Sequence, residues 1–266
     1  MRISLSLLIY FLIITTGFCQ KTIKEYRSLA KEYGYKEDFK KAIDCYSKII
    51  ELNPKDSTAY FDRAVLKEAT KDFKGAIEDY TIEGKINPSE PDNFFLRGID
   101  RLKIKDYDNA YADFEKGIEM EPDNPDAYRY RGQIKEIRKD YKGAMGDFSK
   151  AIEIQPHSNS YCDRASLKSH LKDYDGAITD LNKAIEIDPL FDQYYFNKSN
   201  IYIKKNDLKK ALNDINIAIQ LNNKDPKYYL KRATIKIKLG QKDSACEDYT
   251  FYKKLGGALK KNIKCN

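Results

Sequence analysis

Apolar residues recur every three or four positions in a series of short segments that begins near residue 23. This spacing places apolar side chains on one face of an α-helix. In one of these segments the stripe is Ala144, Met145, Phe148, Ile152 and Ile154. The pattern predicts an all-α chain built from short amphipathic helices.

The helical pattern repeats along the chain. The gaps between five of the prolines are 34, 34, 34 and 33 residues, and Asn223 takes the next place in the series. These prolines are Pro54, Pro88, Pro122, Pro156 and Pro189. A period of this length indicates stacked supersecondary units, each of which packs on its neighbours.

Three positions of the repeat are constant in character when the proline is numbered 32. Position 4 is aromatic in seven copies: Tyr26, Tyr60, Phe94, Tyr128, Tyr161, Tyr195 and Tyr229. Position 8 is small: Ala30, Ala64, Gly98, Gly132, Ala165, Ser199 and Ala233. Position 20 is alanine: Ala42, Ala76, Ala110, Ala144, Ala177, Ala211 and Ala245. Small side chains at two fixed positions predict a close approach of two helices.

These features resemble the tetratricopeptide repeat family, although Tyr or Phe replaces the usual Trp at position 4 and Arg replaces Leu at position 7. The resemblance implies a right-handed superhelical solenoid of antiparallel helix pairs. It covers residues 20–255, with a tail at 256–266 that caps the last repeat. The expected repeats are 23–56, 57–90, 91–124, 125–157, 158–191, 192–225 and 226–255.

The second helix of each pair opens at an aspartate in position 16, which can accept hydrogen bonds from free backbone N–H groups. These residues are Asp38, Asp72, Asp106, Asp140, Asp173 and Asp207. The second repeat ends unusually, because Glu83 and Gly84 stand where small or apolar residues are expected. We therefore expect a loose last turn in that repeat.

Arginine at position 7 and aspartate at position 23 occur together in five repeats. The pairs are Arg63 with Asp79, Arg97 with Asp113, Arg131 with Asp147, Arg164 with Asp180, and Arg232 with Asp248. The sixth repeat has Lys198 with Asp214, and the first repeat has neither charge. This covariation predicts partly buried ion pairs between the helices, since a guanidinium can bind a carboxylate through two bonds. The alternative is that these charges are exposed.

The N-terminus has the features of a secretory signal. Arg2 precedes an apolar run from Leu5 to Ile14, and small residues follow. We expect residues 1–19 to be removed by cleavage between Cys19 and Gln20. Two alternatives remain: an uncleaved N-terminal anchor, and a bacterial lipoprotein in which Cys19 is acylated. Either cleavage route predicts an exported protein of the periplasm, the cell envelope or the medium.

Four cysteines remain after cleavage. Cys45 and Cys162 lie four repeats apart, too far to bridge. Cys246 and Cys265 are separated by a segment that can fold back through its two adjacent glycines. We expect these two to form a disulfide that holds the tail against the last repeat, because export favours oxidation.

The resemblance further implies that the first helix of each pair lines a concave groove. In the family, positions 2, 5, 9, 12 and 13 of this helix face the groove, and the residues at these positions predict a peptide-binding surface with two apolar patches and a polar middle. The apolar residues are Phe61, Val65, Phe95, Ile99 and Leu102 in one patch, and Phe196, Ile203, Leu230 and Ile237 in the other. The polar middle comprises Arg129, Gln133, Asn159, Ser166 and Ser169. Asn197, Lys227 and Lys231 match part of a carboxylate-binding cluster of the family, but Cys162 and Ser166 replace its first members. The alternative is that the apolar side chains simply pack on one another.

No motif for phosphate binding, metal binding or hydrolysis is present in the sequence, and its two histidines stand alone. The 48 basic and 41 acidic residues are evenly mixed, so the net charge of +7 does not favour nucleic-acid binding. We therefore expect a non-catalytic adaptor that binds protein or peptide segments and needs no cofactor. Membrane association would come only from the signal anchor or an acylated Cys19. The alternatives are an RNA-binding helical-repeat protein and an envelope lipoprotein with a role in assembly.

Overall fold

A computed structural model describes residues 21–258, and this part of the chain is all-α, with no strand. It forms two compact units, one reaching to Glu121 and the other starting at Pro122. The first unit contains α1 (Ile23–Tyr35), α2 (Phe39–Leu52), α3 (Ser57–Ala69), α4 (Phe73–Ile86), α5 (Pro91–Lys103) and α6 (Tyr107–Met120).

The second unit contains eight of the described helices. They are α7 (Pro125–Ile137), α8 (Tyr141–Ile154), α9 (Ser158–His170), α10 (Tyr174–Ile187), α11 (Asp192–Lys204), α12 (Leu208–Leu221), α13 (Pro226–Lys238) and α14 (Lys242–Lys254). Odd-numbered helices are the first members of the pairs and even-numbered helices the second. Within each unit, the two helices of a pair pack together, and the second helix of a pair also packs on the first helix of the next. No helix within residues 21–258 is long and apolar enough to cross a membrane.

The two helices of a pair approach most closely at the small residues. The alanine at position 20 is fully buried in all seven pairs. At position 8, a Cβ added to Gly98 would lie 2.8 Å from the ring of Phe114, and one added to Gly132 would lie 2.8 Å from the ring of Phe148. Small residues at position 8 therefore make room for a large ring on the partner helix.

Capping aspartates begin most of the second helices. Asp38, Asp72, Asp140, Asp173 and Asp207 accept a hydrogen bond from the backbone N–H three residues later. The prediction is wrong for Asp106, whose carboxylate caps no backbone N–H. Both of its oxygens accept from the side-chain amide of Asn109, at 3.0 and 2.9 Å, so this side chain takes the place of the backbone donor.

The residue just before the N-cap of each second helix has a left-handed backbone. Its φ angle lies between 57° and 67° in six pairs, and in the seventh pair Gly240 has a φ of 79°. The six non-glycine residues are Glu37, Lys71, Lys105, Lys139, Lys172 and Asn206. This conformation reverses the chain within a few residues, but it is unfavourable for residues that carry a Cβ.

The structure brings the five position-7 arginines together with their position-23 aspartates inside each pair. In the fourth repeat, Arg131 donates from Nε and Nη2 to the two oxygens of Asp147, at 2.9 and 2.8 Å. The same two-bond geometry joins Arg63 to Asp79, Arg97 to Asp113, Arg164 to Asp180, and Arg232 to Asp248. The aspartates are buried and the arginines partly buried, so these pairs belong to the interior of the fold.

A second cation binds each of these aspartates. It comes from position 11, one turn after the arginine, and lies 2.6 to 2.8 Å from the carboxylate. These residues are Lys67, Arg101, Lys135, Lys168 and Lys236. In the sixth repeat, Tyr202 occupies position 11, and the single cation Lys198 lies 3.4 Å from Asp214. Burial raises the pKa of Asp214, whose Oδ2 has no hydrogen-bond partner.

The junction of the second and third repeats contains unusual buried polar residues. The last turn of α4 is regular, contrary to the expected loose end: the helix runs to Ile86, and Glu83 is buried. Gly84 leaves room there for the side-chain amide of Asn93, which a Cβ would force to shift. Asn93 and Asp100 are fully buried in α5.

Asp100 stands in a row that is apolar in the second unit, where the same position holds Ile134, Leu167, Ile201 and Ile235. Its Oδ1 accepts from Lys103 Nζ at 3.0 Å, while Oδ2 has no partner. Burial, together with the Glu68 carboxylate, raises the pKa of Asp100 from 3.8 to about 6, although Lys103 opposes the shift.

The chain leaves the last helix through a turn at Leu255 and Gly256, and no helix follows as far as residue 258. The rest of the predicted cap, 259–266, lies outside the described residues.

The two-bond ion pair predicts energetic coupling between Arg131 and Asp147. Replacing Arg131 by Leu leaves the buried Asp147 with Lys135 alone, and replacing Asp147 by Leu leaves two cations without their carboxylate, so each single variant should lose about 3 kcal/mol of unfolding free energy. The double variant should lose less than the sum of the two, by at least about 1 kcal/mol, as measured by urea unfolding. Strict additivity would contradict a direct pair. The exposed pair of Lys150 and Glu153 is the control and should show no measurable coupling.

The raised pKa of Asp100 predicts that this residue lowers the stability of the folded chain in a pH-dependent way. Because its folded-state pKa lies above the unfolded value, protonation favours the folded chain, and stability from this group falls as pH rises from about 4 to about 6. Asp100→Asn should therefore be more stable than wild type at pH 7, by about 2 kcal/mol, and this advantage should shrink towards pH 4. Chemical denaturation across this pH range measures the difference. Parallel stability curves for the two proteins would contradict the assignment.

Candidate functional site

In the first unit, the predicted groove residues lie on single faces of two first helices. Phe61 and Val65 are four residues apart on α3, while Phe95, Ile99 and Leu102 follow with spacings of four and three on α5. Their exposure differs. Val65 is 44% exposed, whereas the other four are partly buried.

The two phenylalanines of this patch also belong to the packing between helices. Phe61 meets the ring of Tyr80 edge to face at 5.7 Å, and Phe95 meets Phe114 in the same way at 6.1 Å. Each ring therefore anchors a first helix on its partner helix while keeping part of its surface exposed.

In the second unit, Phe196, Ile203 and Leu230 pack at the edge of a buried cluster that includes Tyr228 and Ile235. The Phe196 ring lies 5.1 Å from the Tyr228 ring. Ile237, the next-to-last residue of α13, is 43% exposed. Part of the predicted apolar patch is thus core, and Ile237 is its most open residue.

Two ammonium groups lie over Phe196. Lys227 Nζ is 5.4 Å and Lys231 Nζ is 5.6 Å from the ring centroid, distances typical of cation–π contacts. Lys227 also binds Asp225 and Gln193, each at 2.9 Å. This patch is therefore cationic as well as apolar.

Asn197 is partly buried and contacts both its own helix and α9. Its Oδ1 accepts from Gln193 Nε2 at 2.9 Å, and its Nδ2 lies 3.4 Å from Cys162 Sγ. Asn197 therefore reaches the polar middle of the predicted surface, where Cys162 replaces the first lysine of the family's carboxylate-binding cluster.

A cavity of about 280 Å³ occupies this polar middle, among α7, α9, α10 and α11. Polar side chains that line it are Glu136, Cys162, Ser166, Ser169, His170, Asn197, Asn200 and Lys204. Lys204 Nζ donates to Ser169 Oγ at 2.9 Å, and Asn200 Oδ1 is buried without a hydrogen-bond partner. Its polar lining suits hydrogen-bonding ligand groups better than apolar ones.

The surroundings of the cavity favour the neutral forms of two of its acidic groups, Cys162 and Glu136. Burial, assisted by the Asp163 carboxylate, raises the pKa of the Cys162 thiol to about 11. The same two causes raise the pKa of Glu136, although His170 opposes the shift. At neutral pH the thiol is therefore protonated, whereas nucleophilic catalysis by cysteine requires a thiolate.

Asp163 connects the first helices of two successive repeats. It accepts from Gln133 at 2.8 Å and from Arg129 at 3.3 Å, so two residues of α7 bind one residue of α9. Burial raises the pKa of Asp163, while its contacts with Gln133 and Arg129 oppose the shift. Gln133 and one nitrogen of Arg129, both predicted as groove residues, thus reach a neighbouring repeat, while Arg129 Nε and Nη2 bind Asp126 on their own helix.

Sequence reasoning missed four polar residues of this cavity: Glu136, His170, Asn200 and Lys204. They occupy positions 9, 12 and 13 of their repeats, which are all predicted groove positions. Reading those positions in every repeat, instead of selecting the apolar ones, would have found them.

Family profiles described as tetratricopeptide repeat match the chain in several segments that together make up more than half of its length. The matched residues are 23–56, 95–159, 158–189 and 192–225. The chain belongs to the tetratricopeptide repeat family. No curated protein matches its sequence.

Solved structures share this tetratricopeptide fold. A tetratricopeptide repeat protein from Parabacteroides merdae superposes with a TM-score of 0.73 at 17% identity, covering 88% of this chain and 93% of that one. YrrB, described as a tetratricopeptide protein with an unusual peptide-binding site, superposes with a TM-score of 0.53 at 21% identity. The match covers 67% of this chain and 92% of YrrB. PilF of Pseudomonas aeruginosa superposes with a TM-score of 0.66 at 13% identity, and the match covers 75% of this chain and 91% of PilF. At these identities the likeness concerns the fold alone.

Three of the predicted site residues fall outside the part of the chain that the structure describes. These are Cys19, Gln20 and Cys265, whereas Cys246 lies in α14. The signal cleavage and the disulfide therefore stay predictions. Cys45 and Cys162 are free thiols.

Proposed function

We propose that this tetratricopeptide protein is a non-catalytic, exported scaffold that binds segments of partner proteins along a concave groove formed by the first helices of its repeats. The observation that carries this proposal is the exposure of Val65 and Ile237 at predicted groove positions. Both are apolar, and each lies on a helix that is otherwise well packed. Exposed apolar side chains beside polar ones are typical of protein-interaction surfaces.

The composition of the surface supports a protein ligand. Partly exposed aromatic rings, such as those of Phe61, Phe95 and Phe196, suit the side chains of a helix or an extended peptide. YrrB offers a precedent within the same fold, because its described property is peptide binding. Binding of peptide segments is therefore the activity that the fold and the groove positions jointly favour.

The ion pairs support a protein ligand over RNA. The basic side chains at positions 7 and 11 of five repeats are bound to buried aspartates. They are therefore not available to neutralise the phosphates of a nucleic acid, on which such binding depends. Steeply salt-dependent RNA binding would argue for the alternative.

Export is proposed from the first 19 residues, which combine Arg2, an apolar run and small residues before Gln20. Two routes fit this segment. Removal of residues 1–19 gives a chain that begins at Gln20, and acylation at Cys19 gives an envelope lipoprotein with a role in assembly.

Disruption of the groove is expected to abolish partner capture. The mature chain from Gln20 should retain partner proteins from an envelope extract, and Val65→Asp with Ile237→Asp should reduce capture at least about tenfold, because the charges oppose burial of apolar ligand groups. A matched control places the same charges on second helices, at the exposed Ile82 and Ile187. Quantitative mass spectrometry of the captured proteins gives the readout. Equal losses in both double variants, or none in either, would count against the groove.

Signal processing is expected to leave Gln20 as the first residue. Intact-mass measurement and N-terminal sequencing of the chain, recovered from the envelope and medium of an expressing bacterium, test this. A mass that includes an acylated Cys19 would support the lipoprotein route instead. A chain that retains Met1 in the cytoplasm would contradict export.

A further inference from the structure

A second cavity lies in the first unit, where the N-terminus of α3, the C-terminus of α4 and the N-terminus of α5 meet. Its volume is about 280 Å³. Four carboxylates line it, together with an aromatic ring and an amide, and none of its lining residues is basic. The residues that matter below are Phe61, Asp62, Glu83, Asn87, Glu90 and Asp92.

Glu83 is the least expected of these residues. It is only 3% exposed, yet its Oε2 has no hydrogen-bond partner. Burial raises the pKa of Glu83, and the Glu90 carboxylate raises it further, while a contact with Asn87 opposes both. A buried carboxylate oxygen without a hydrogen-bond partner is costly to a folded protein, and a ligand can provide the donor that Glu83 Oε2 lacks.

The first repeat shows how a basic side chain fits this location. Arg27 stands at position 5, and its guanidinium binds Asp56, at position 34, at a distance of 2.7 Å. It also reaches Asp62 at 3.5 Å. One repeat later, position 34 is Glu90, but position 5 is Phe61. The acid is kept, whereas the chain's own cation is replaced by an aromatic ring.

Phe61 gives the cavity an apolar wall beside its carboxylates. The ring is held by its edge-to-face contact with Tyr80 and is partly buried. Arginine and lysine carry an aliphatic stem that packs on such a ring, and a charged head that binds carboxylates. A bare metal ion has no aliphatic stem to pack on the ring, so the lining favours an organic cation.

We propose that this cavity binds the cationic side chain, an arginine or a lysine, of a partner polypeptide. The proposal rests on the proposed scaffold function and adds a specificity to it. The stem lies against Phe61, and the charged head donates to Glu83 and Glu90, as Arg27 donates to Asp56 in the preceding repeat. A partner segment is thereby selected for a basic residue next to apolar ones.

The test uses N-acetyl-arginine amide as the probe and N-acetyl-citrulline amide as its neutral near-isostere. The full mature chain is titrated with each, and NMR follows the Phe61 ring and the Glu83 side chain. Arginine should cause saturable shifts with a Kd on the order of 1 to 10 mM, and the lysine analogue should act similarly. Citrulline should cause none. Equal responses to arginine and citrulline, or no saturable response to arginine, would overturn the proposal.

Variants assign the effect to the carboxylates. Glu83→Gln with Glu90→Gln should weaken arginine binding at least about tenfold, since charge-assisted hydrogen bonds are lost. Glu78→Gln, an exposed position on the same helix, should leave binding unchanged. Unchanged binding in the double Gln variant would place the probe elsewhere. Saturable shifts of the same residues by CaCl₂, abolished by the same variants and stronger than those by arginine, would identify a metal site instead.

Failure of this proposal is distinguishable from failure of the scaffold function. The Val65→Asp, Ile237→Asp variant should still bind the arginine probe, because neither residue lines this cavity. Groove-dependent partner capture without probe binding would remove the basic-residue specificity and leave the scaffold in place. Probe binding without any groove-dependent capture would leave a cation site on a protein with another role.

Discussion

A buried aspartate held between two cations is the interaction on which five of the seven described helix pairs depend. Arginine and a second basic residue, one turn apart on the first helix, both bind the same carboxylate on the second, as Arg131 and Lys135 bind Asp147. Apolar surfaces allow two helices to slide past each other, but three charged groups in fixed geometry do not. A buried ionic cluster is thus better suited to setting helix register than to adding net stability. The close approach at the small residues then follows from that register.

The second and third repeats depart from this regular plan. Glu83, Asn93 and Asp100 are polar residues buried where most other repeats place small or apolar side chains, and each has at least one polar atom without a partner. Buried polar groups of this kind reduce stability, so their concentration at one junction needs a reason. The acidic cavity beside Phe61 supplies a reason for the burial of Glu83, which lines it. For Asn93, the space above Gly84 gives a packing reason only.

The sequence predicted the helices and the arginine–aspartate partners because the residues that form them recur at fixed positions of the repeat. The second cation was present in the same pattern, since position 11 is basic in the same five repeats that carry arginine at position 7. The site was less predictable. Whether Phe196 is open or covered by Lys227 and Lys231 depends on side-chain directions that no repeat position specifies. Both cavities arise where at least three helices meet, which a pattern within one helix does not describe.

The left-handed residue between the two helices of each pair has a consequence for the length of the array. Six of these residues carry a Cβ, and each adopts a backbone that costs about 1 kcal/mol or more relative to glycine. This strain recurs once in every helix pair except the last, where Gly240 relieves it. It therefore grows in proportion to the number of repeats, as does the packing that offsets it. Extending such an array adds surface for partners without making each repeat more stable.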